Sequence, residues 1–332
     1  MTAYEKLQRR LRRTPKKWLV TGVAGFIGSH LAETLLQLNQ KVVGLDSLAT
    51  GHLANLEDLQ QSLEPKQRRN FRFIEGDITS AKTCNRACRA ADYVLHQAAL
   101  GSVPRSFIDP IATHEANTTG FLHILRAAKK AGVKRVVYAS SSSVYGDEKT
   151  LPKKENQTGD VLSPYAASKA ADEMYAGVFG DGCNQEIVGL RYFNVFGPRQ
   201  DPKGPYAAVI PQWTIGLLKN RPTFIYGDGK TSRDFCYVAN AVQANLLAAS
   251  AKPARGKVYN IAIGTRATLN LLHRHIRSMT GQNNRPIHRP FREGDVRHSL
   301  ADISAAKRDL GYRPTYSLEQ GLKLTVEWYK QK

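Results

Sequence analysis

Residues Trp18 to Gly28 read WLVTGVAGFIG. Four residues suited to a buried strand run into Gly22, Gly25 and Gly28. An apolar helical pattern follows, with Ile27, Leu31, Leu35 and Leu38 on one face. Strand, glycine turn and helix are the parts that a dinucleotide's pyrophosphate requires. The first glycine turns the chain, the second lets backbone approach the phosphates, and the third lets the helix pack close to its strand. The helix start, at Phe26 and Ile27, offers unpaired N–H groups and a positive dipole end to the anion. Three glycines alone also occur in ordinary strand-to-helix turns, so the next strand decides. It is KVVGLD, Lys41 to Asp46, and it ends in an acid about 20 residues past the glycines. A carboxylate there accepts hydrogen bonds from the adenosine ribose and repels a 2′-phosphate, which selects NAD over NADP.

Outward from this stretch the alternation continues. Phe71 to Ile74, Tyr93 to His96, Arg135 to Ala139 and Ile187 to Arg191 read as strands. Gly51 to Asn70 is polar and part helical. Asn117 to Ala131 has a helical period that Gly132 stops, and Pro164 opens a helix to about Phe179 that Gly180 ends. The fold expected is α/β, a Rossmann-type doubly wound parallel sheet with ligands beyond the strand C-termini. Gly76-Asp77-Ile78, Gln97-Ala98-Ala99 and the serine run Ser140 to Ser143 all fall at such ends. After Asn194, Gly and Pro become frequent, and Val258 to Ile263 reads as one more strand. The expected division is a basic arm at 1–16, an NAD-binding domain at 17–193 plus about 241–265, and a smaller, loop-rich substrate domain at 194–240 and 266–332.

The chain has 332 residues, 42% of them hydrophobic, enough for one large or two closely packed domains with a real core. No apolar run approaches the ~18 residues of a membrane span. The start, MTAYEKLQRRLRRTPKK, has no apolar signal core, and Tyr4, Leu7 and Leu11 fall on one side of a short basic helix. A cytoplasmic protein is expected. Formal net charge is +20, but Lys and Arg are spread along the chain without a helix-turn-helix, zinc or RNP-type pattern, which disfavours nucleic acid as partner. A basic surface also steers a doubly charged nucleotide substrate. Cys84, Cys88, Cys183 and Cys236 lack zinc spacing and read as isolated buried thiols; no metal is expected.

The chemistry centres on YAASK, where Tyr165 and Lys169 stand four apart and so share a helix face. An ammonium beside a phenol, and a bound nicotinamidium, favour the phenolate, so the phenol can act as a base near neutral pH. A hydroxyl of the serine run can hydrogen-bond the reacting oxygen.

TGVAGFIGSH, the SSSVYG run, SPYAASK and RYFNVFGPRQ together resemble the extended short-chain dehydrogenase/reductase family over nearly the whole chain. HQAALGSVPRS, YAAVIPQW, GDGKTSRDFCY, FREGDVRHSLADI and the MTAYEKL helix are similar to its branch of 4-epimerases acting on UDP-N-acetylhexosamines in surface-polysaccharide pathways. The resemblance implies Ser141 as catalytic serine, Tyr165 as base and Lys169 as its partner, also holding the nicotinamide ribose. It implies cofactor contacts at Asp77, Ile78, Gln97, Ala98, Ala99 and Asn117. Around the UDP-sugar it implies Gly101, Ser102, Ser142, Ser143, Asn194, Gln200, Ala208, Val209, Tyr226 and Ser299, with Arg233 and Arg292 on the phosphates and Asp295 near the ribose. Ser47 stands where the branch usually has Asn, with the loss of one polar contact to the cofactor. Tyr165 would take the proton from the sugar O4 while C4 is oxidised by NAD, and the 4-keto sugar would be reduced again on its other face. A homodimer through the helices beginning near Asn117 and Pro164 is also implied.

Two positions separate the reactions of this family. Its 4,6-dehydratases place Asp-Glu directly after the catalytic Ser or Thr, and the related decarboxylases keep the Glu. Here Ser142 and Ser143 occupy both places, so the general acid and base for removing water are missing and epimerisation is expected. At Ser299 galactose-restricted epimerases carry a bulky Tyr; a serine leaves room for a 2-acetamido group. The expected substrate is UDP-N-acetylglucosamine. The runner-up is its 6-carboxylate form, with Ser102 or Arg105 deciding, and UDP-glucose/galactose is a side substrate. A non-catalytic nucleotide- or nucleic-acid-binding module of the same fold has no need of Ser141, Tyr165 and Lys169.

Overall fold

Seven apolar runs build one sheet, in which every neighbouring pair is parallel. The strands are β1 (Lys17–Thr21), β2 (Lys41–Asp46), β3 (Phe71–Glu75), β4 (Tyr93–His96), β5 (Arg135–Ser141), β6 (Ile187–Tyr192) and β7 (Val258–Ile261). Their spatial order is β7-β6-β5-β4-β1-β2-β3. The order reverses between β1 and β4, where Trp18 pairs with Tyr93 and Thr21 with His96. In an open α/β sheet this reversal opens a crevice beyond the strand ends, and ligands bind there. The computed structural model describes residues 1–203, 208–252, 256–291 and 297–332. Arg292 and Asp295 therefore lie outside the described residues.

Both faces of the sheet are buried because successive side chains point to opposite sides. In β1, Trp18 and Val20 join one core cluster and Leu19 the other. In β5, Val137 joins the first cluster while Val136 and Tyr138 join the second. The helix Phe26–Gln37 covers the first face with Leu31, Leu35 and Leu36, and the helix Gly120–Lys130 covers the second with Phe121, Ile124 and Leu125. A third cluster, with Phe196, Trp213, Ile225, Leu272 and Leu322, gathers the helices Val209–Leu218, Leu269–Thr280 and Leu318–Lys330 beyond the sheet.

The N-terminal helix Ala3–Arg13 opens on a Thr2–Glu5 capping box and buries Leu7 and Leu11 against the first cluster. Gln40 locks it there. Its amide donates to the carbonyls of Leu11 and Leu38, both at 2.8 Å, and its Oε1 accepts from Lys16 N and Trp18 Nε1.

Several local expectations need correction. The helix opened by Pro164 runs through Gly180 to Gly182, because Gly180 is buried and the backbone bonding continues to Cys183 N, which donates to Phe179 O. The helical stretch at Asn117 begins inside a π turn, Glu115–Thr119. β7 stops at Ile261, two residues short of the expected end, and β5 runs two residues further than expected, to Ser141. Cys84, Cys88 and Cys236 are buried free thiols, but Cys183 is half-exposed. Among the described residues no helix is long and apolar enough to cross a membrane.

Candidate active site

The glycine turn closes against the end of β4. Gly22 has φ +68°, and a Cβ there would lie 2.8 Å from Ala98 N. A Cβ on Gly28 would lie 2.0 Å from Gly22 O, so only glycine lets the helix sit this close to its strand. Asp46 braces the turn from β2: its carboxylate accepts from Ala24 N at 2.9 Å and from Leu48 N at 2.8 Å. The Thr21 hydroxyl braces it from β1, accepting from Gln97 N and Ala98 N and bonding His96 Nδ1 at 2.8 Å. With both lone pairs used, the hydroxyl gives its own proton to Nδ1. The imidazole is then neutral, with its proton on Nε2. Burial, and next the Lys169 ammonium, push the pKa of His96 down to about 3.

A cavity of about 720 Å³ lies at this switch point. Gly22, Gly25, Phe26, Ile27, Gly28, Asp46, Asp77, Ile78, Gln97, Ala98 and Ala99 line it. Ser141, Tyr165 and Lys169 line it too, and Gly101, Ser102, Gln200 and Ala208 are also in its wall. A glycine cradle that any Cβ would fill, a helix start and an acid at the end of β2 fit a dinucleotide.

Ser141 ends β5 and caps the 3-10 turn Ser142–Tyr145. Its Oγ accepts from Ser143 N at 3.1 Å and from the Ser143 hydroxyl at 2.9 Å, which leaves its own proton to give. Tyr165 and Lys169 lie in the first turns of the helix Pro164–Gly182, which Ser163 caps by accepting from Ala166 N. Tyr165 is half-buried, and Lys169 is buried and paired with Asp172 at 3.1 Å. Behind them, Ser140 donates to Glu173, which holds Arg191 of β6 at 2.7 Å. Tyr145 is core: its hydroxyl donates to Asn260 Oδ1 at 2.6 Å, and Arg191 lies over its ring.

Other expected site residues lie outside this lining. Asn117 is fully buried, and its amide is taken up by Leu100 N, Leu100 O and Ser168 Oγ. It ties the loop at Leu100 to Ser168, in the helix that carries Tyr165 and Lys169. Ser142 and Ser143 turn with the 3-10 helix. Asn194 donates to Asp234 O, and Arg233 Nη1 donates to the carbonyls of Ser232 and Arg297. Val209 packs on the third cluster, Tyr226 ends the strand Phe224–Tyr226, and Ser299 N bonds Ser232 O.

Sequence reading missed Tyr192 and Arg199. Tyr192 lines the cavity at the end of β6; its hydroxyl donates to Gln97 Oε1 at 3.0 Å and accepts from Asn245 Nδ2 at 2.7 Å. Arg199 is buried in the cavity wall, paired with Glu33 and Asp58, both at 2.7 Å. Tyr329 of the last helix donates to Gln200 O, and Lys332 pairs with Asp58 at 2.7 Å, so the chain's end clamps the loop that carries Gln200. The only signal was position: both residues sit within RYFNVFGPRQ, a stretch already tied to the site.

Residues 18–262 match the NAD dependent epimerase/dehydratase family. A UDP-glucose 4-epimerase of Mycolicibacterium smegmatis is 36% identical over 316 residues, which cover 95% of this chain and 98% of that protein. The solved UDP-N-acetylglucosamine 4-epimerase of Methanobrevibacter ruminantium, in complex with UDP-N-acetylmuramic acid, is 37% identical with a TM-score of 0.89, covering 96% of this chain and 99% of that one. The Thermus thermophilus UDP-glucose 4-epimerase, solved with NAD, is 34% identical with a TM-score of 0.83, covering 95% and 99%. With a glycine-cradled switch point, a serine–tyrosine–lysine wall and these matches across its length, the chain belongs to the NAD dependent epimerase/dehydratase family.

Proposed function

We propose that the protein is an NAD-dependent 4-epimerase of UDP-sugars that interconverts UDP-N-acetylglucosamine and UDP-N-acetylgalactosamine. The observation that supports this is that Ser141, Tyr165 and Lys169 line one cavity together with the glycine turn, with serine at both positions after Ser141. NAD, when bound, supplies reversible oxidation at the sugar's C4. Gly22, Gly25, Gly28 and Asp46 would hold it, and Lys169 would meet its nicotinamide ribose. Tyr165 takes the proton from O4 and returns it. Ser141, whose lone pairs Ser143 occupies, donates to that same oxygen. Neither residue directly after Ser141 is a carboxylate, so the 4-keto sugar is not diverted into loss of water, and reduction is its way out. The sugar must turn between the two halves, so binding is concentrated on the UDP, where Arg233 and Arg292 suit the phosphates.

Gly101, Ser102 and Ala208 are small residues of the cavity wall and leave room for an acetamido group, and Ser299, outside that lining, adds no bulk. A second reading, the 6-carboxylate sugar, is favoured by Arg105 and Lys203, which add two cations to the lining. UDP-glucose and UDP-galactose are weaker substrates. Residues 17–193 with 241–265 serve as the cofactor domain, the remainder after 193 as the substrate domain, and the protein works in the cytoplasm.

Phe107, Ile108, Ile111, Met174 and Val178 are each more than 60% exposed, on the helices Val103–Ile108, Pro110–His114 and Pro164–Gly182, which pack together. A second copy of the chain covers this face in a homodimer.

The test is the product profile of purified protein, without added cofactor, on UDP-N-acetylglucosamine and its uronate in parallel. Faster conversion of the former supports the first reading, and faster conversion of the latter moves the substrate to the second. No turnover of either, even with NAD supplied, removes both.

A further inference from the structure

Asp172 follows Lys169 by three residues, so Tyr165, Lys169 and Asp172 form one stripe on the catalytic helix. The Asp172 side chain has 0% exposure and that of Lys169 has 3%. Asp172 Oδ2 accepts from Lys169 Nζ at 3.1 Å, while Oδ1 is buried without a hydrogen-bond partner. One turn further on, the same helix buries Ala176 in the second core cluster. A carboxylate at such a place costs free energy unless it compensates another charge, and the charge beside it is Lys169.

The neighbours do not offer an alternative. Glu173 is committed to Arg191 and Ser140. His96, on β4, feels the Lys169 charge but is neutral. Tyr138, on β5, is a buried phenol that the Asp172 and Glu173 charges push further toward its neutral form. His114, on the helix Pro110–His114, is exposed and acts on Asp172 only through its charge. Burial alone disfavours an ammonium, and a counter-charge offsets that penalty. A nicotinamidium beside it would press in the same direction as burial.

We propose that Asp172 is the positioning residue of the catalytic pair, holding the buried Lys169 ammonium at its place on the cavity wall and supplying the counter-charge it needs there. The inference rests on the roles given above to Tyr165 and Lys169. Burial pushes the pKa of Asp172 up to about 6, against the pull of Lys169, so the carboxylate is ionised at neutral pH and above.

The test compares wild type with Asp172→Asn, which keeps shape and removes the charge. The first readout does not depend on turnover: acylation of Lys169 by an amine-directed anhydride, followed by peptide mass spectrometry from pH 6 to 10. In D172N the midpoint for Lys169 should fall by one pH unit or more. The second readout is kcat against pH. D172N should show an alkaline limb, about 10-fold below its own maximum by pH 9, that wild type lacks, with KM for the UDP-sugar within about 3-fold. Lys169→Arg added to D172N should abolish that limb, because a guanidinium does not release its proton there. An unchanged Lys169 midpoint, or a kcat profile lowered by one factor at every pH, would leave Asp172 a packing residue and overturn the proposal. If D172N does not fold, Asp172→Ser is measured in the same way with the same two outcomes. Should wild type turn over no UDP-sugar at all, the epimerase reading fails, and the acylation midpoint still decides whether Asp172 holds the lysine's charge.

Discussion

Replacing Tyr165 by Phe removes one oxygen from the helix Pro164–Gly182 and leaves its packing intact. Turnover should fall by about 10²–10⁴-fold, the usual worth of a positioned acid–base group, while NAD stays bound. Epimerisation within 10-fold of wild type would exclude Tyr165 as the base. Gly28 carries the opposite kind of expectation. An alanine methyl would meet backbone, 2.0 Å from Gly22 O and 2.7 Å from Gly22 C, and neither atom can swing away. Gly28→Ala should therefore lower stability by about 1–3 kcal/mol and lose NAD on gel filtration. Gly101→Ala, with nothing within 4 Å of the new methyl, should fold like wild type.

The N-terminal helix shows how one polar side chain joins an element to the sheet. Gln40 satisfies two carbonyls, one N–H and the Trp18 indole at once. Gln40→Leu fills the space but strands those groups, so unfolding in urea should show a loss of about 1–3 kcal/mol. Limited proteolysis should also cut faster after Arg12 or Arg13. An unaltered midpoint and cleavage rate would mean that Leu7 and Leu11 alone hold the helix. The exposed apolar stripe of Pro164–Gly182 gives a second test. Val178 is 68% exposed on that helix, so Val178→Asp should leave the monomer fold intact and shift sedimentation from dimer to monomer. A dimer that survives this change uses another face.

Charge buried across the whole molecule sets its response to acid. His30, His96 and His273 are neutral, held by burial first and by nearby cations next, with pKa values pushed down to about 4, 3 and 4. In the unfolded chain a histidine takes up its proton near ~6.5. The unfolded state therefore binds protons first as pH falls, and the stability these three contribute is lost progressively below that value. Asp172 and Asp234 act oppositely. Burial pushes both up to about 6, so between about pH 6 and 4 the folded state binds their protons first and gains. Three strongly displaced bases outweigh two acids, and the thermal midpoint should fall from pH 7 to pH 5. A midpoint that rises over that interval would mean that the carboxylates dominate.

What was legible in the sequence is what short-range pattern can encode. Glycine spacing, a strand ending in Asp46 and the Tyr165–Lys169 interval each depend on neighbours a few residues away, so they pointed directly to the glycine turn, the sheet and the Tyr165–Lys169 pair that lines the cavity. Apolar runs likewise found all seven strands of the parallel sheet, with errors only at their ends. The tertiary structure alone decided which polar side chains are spent on the scaffold. Asn117 is consumed by Leu100 and Ser168, 17 and 51 residues away. Arg199 enters the cavity wall through Glu33 and Asp58, the latter 141 residues away. Asp172 reads as one more charge on a helix until the packed sheet buries it against Lys169. The physical reason is the same in each case: a hydrogen bond or ion pair is set by distance in space, and burial, which fixes its strength, exists only once the distant strands have come together.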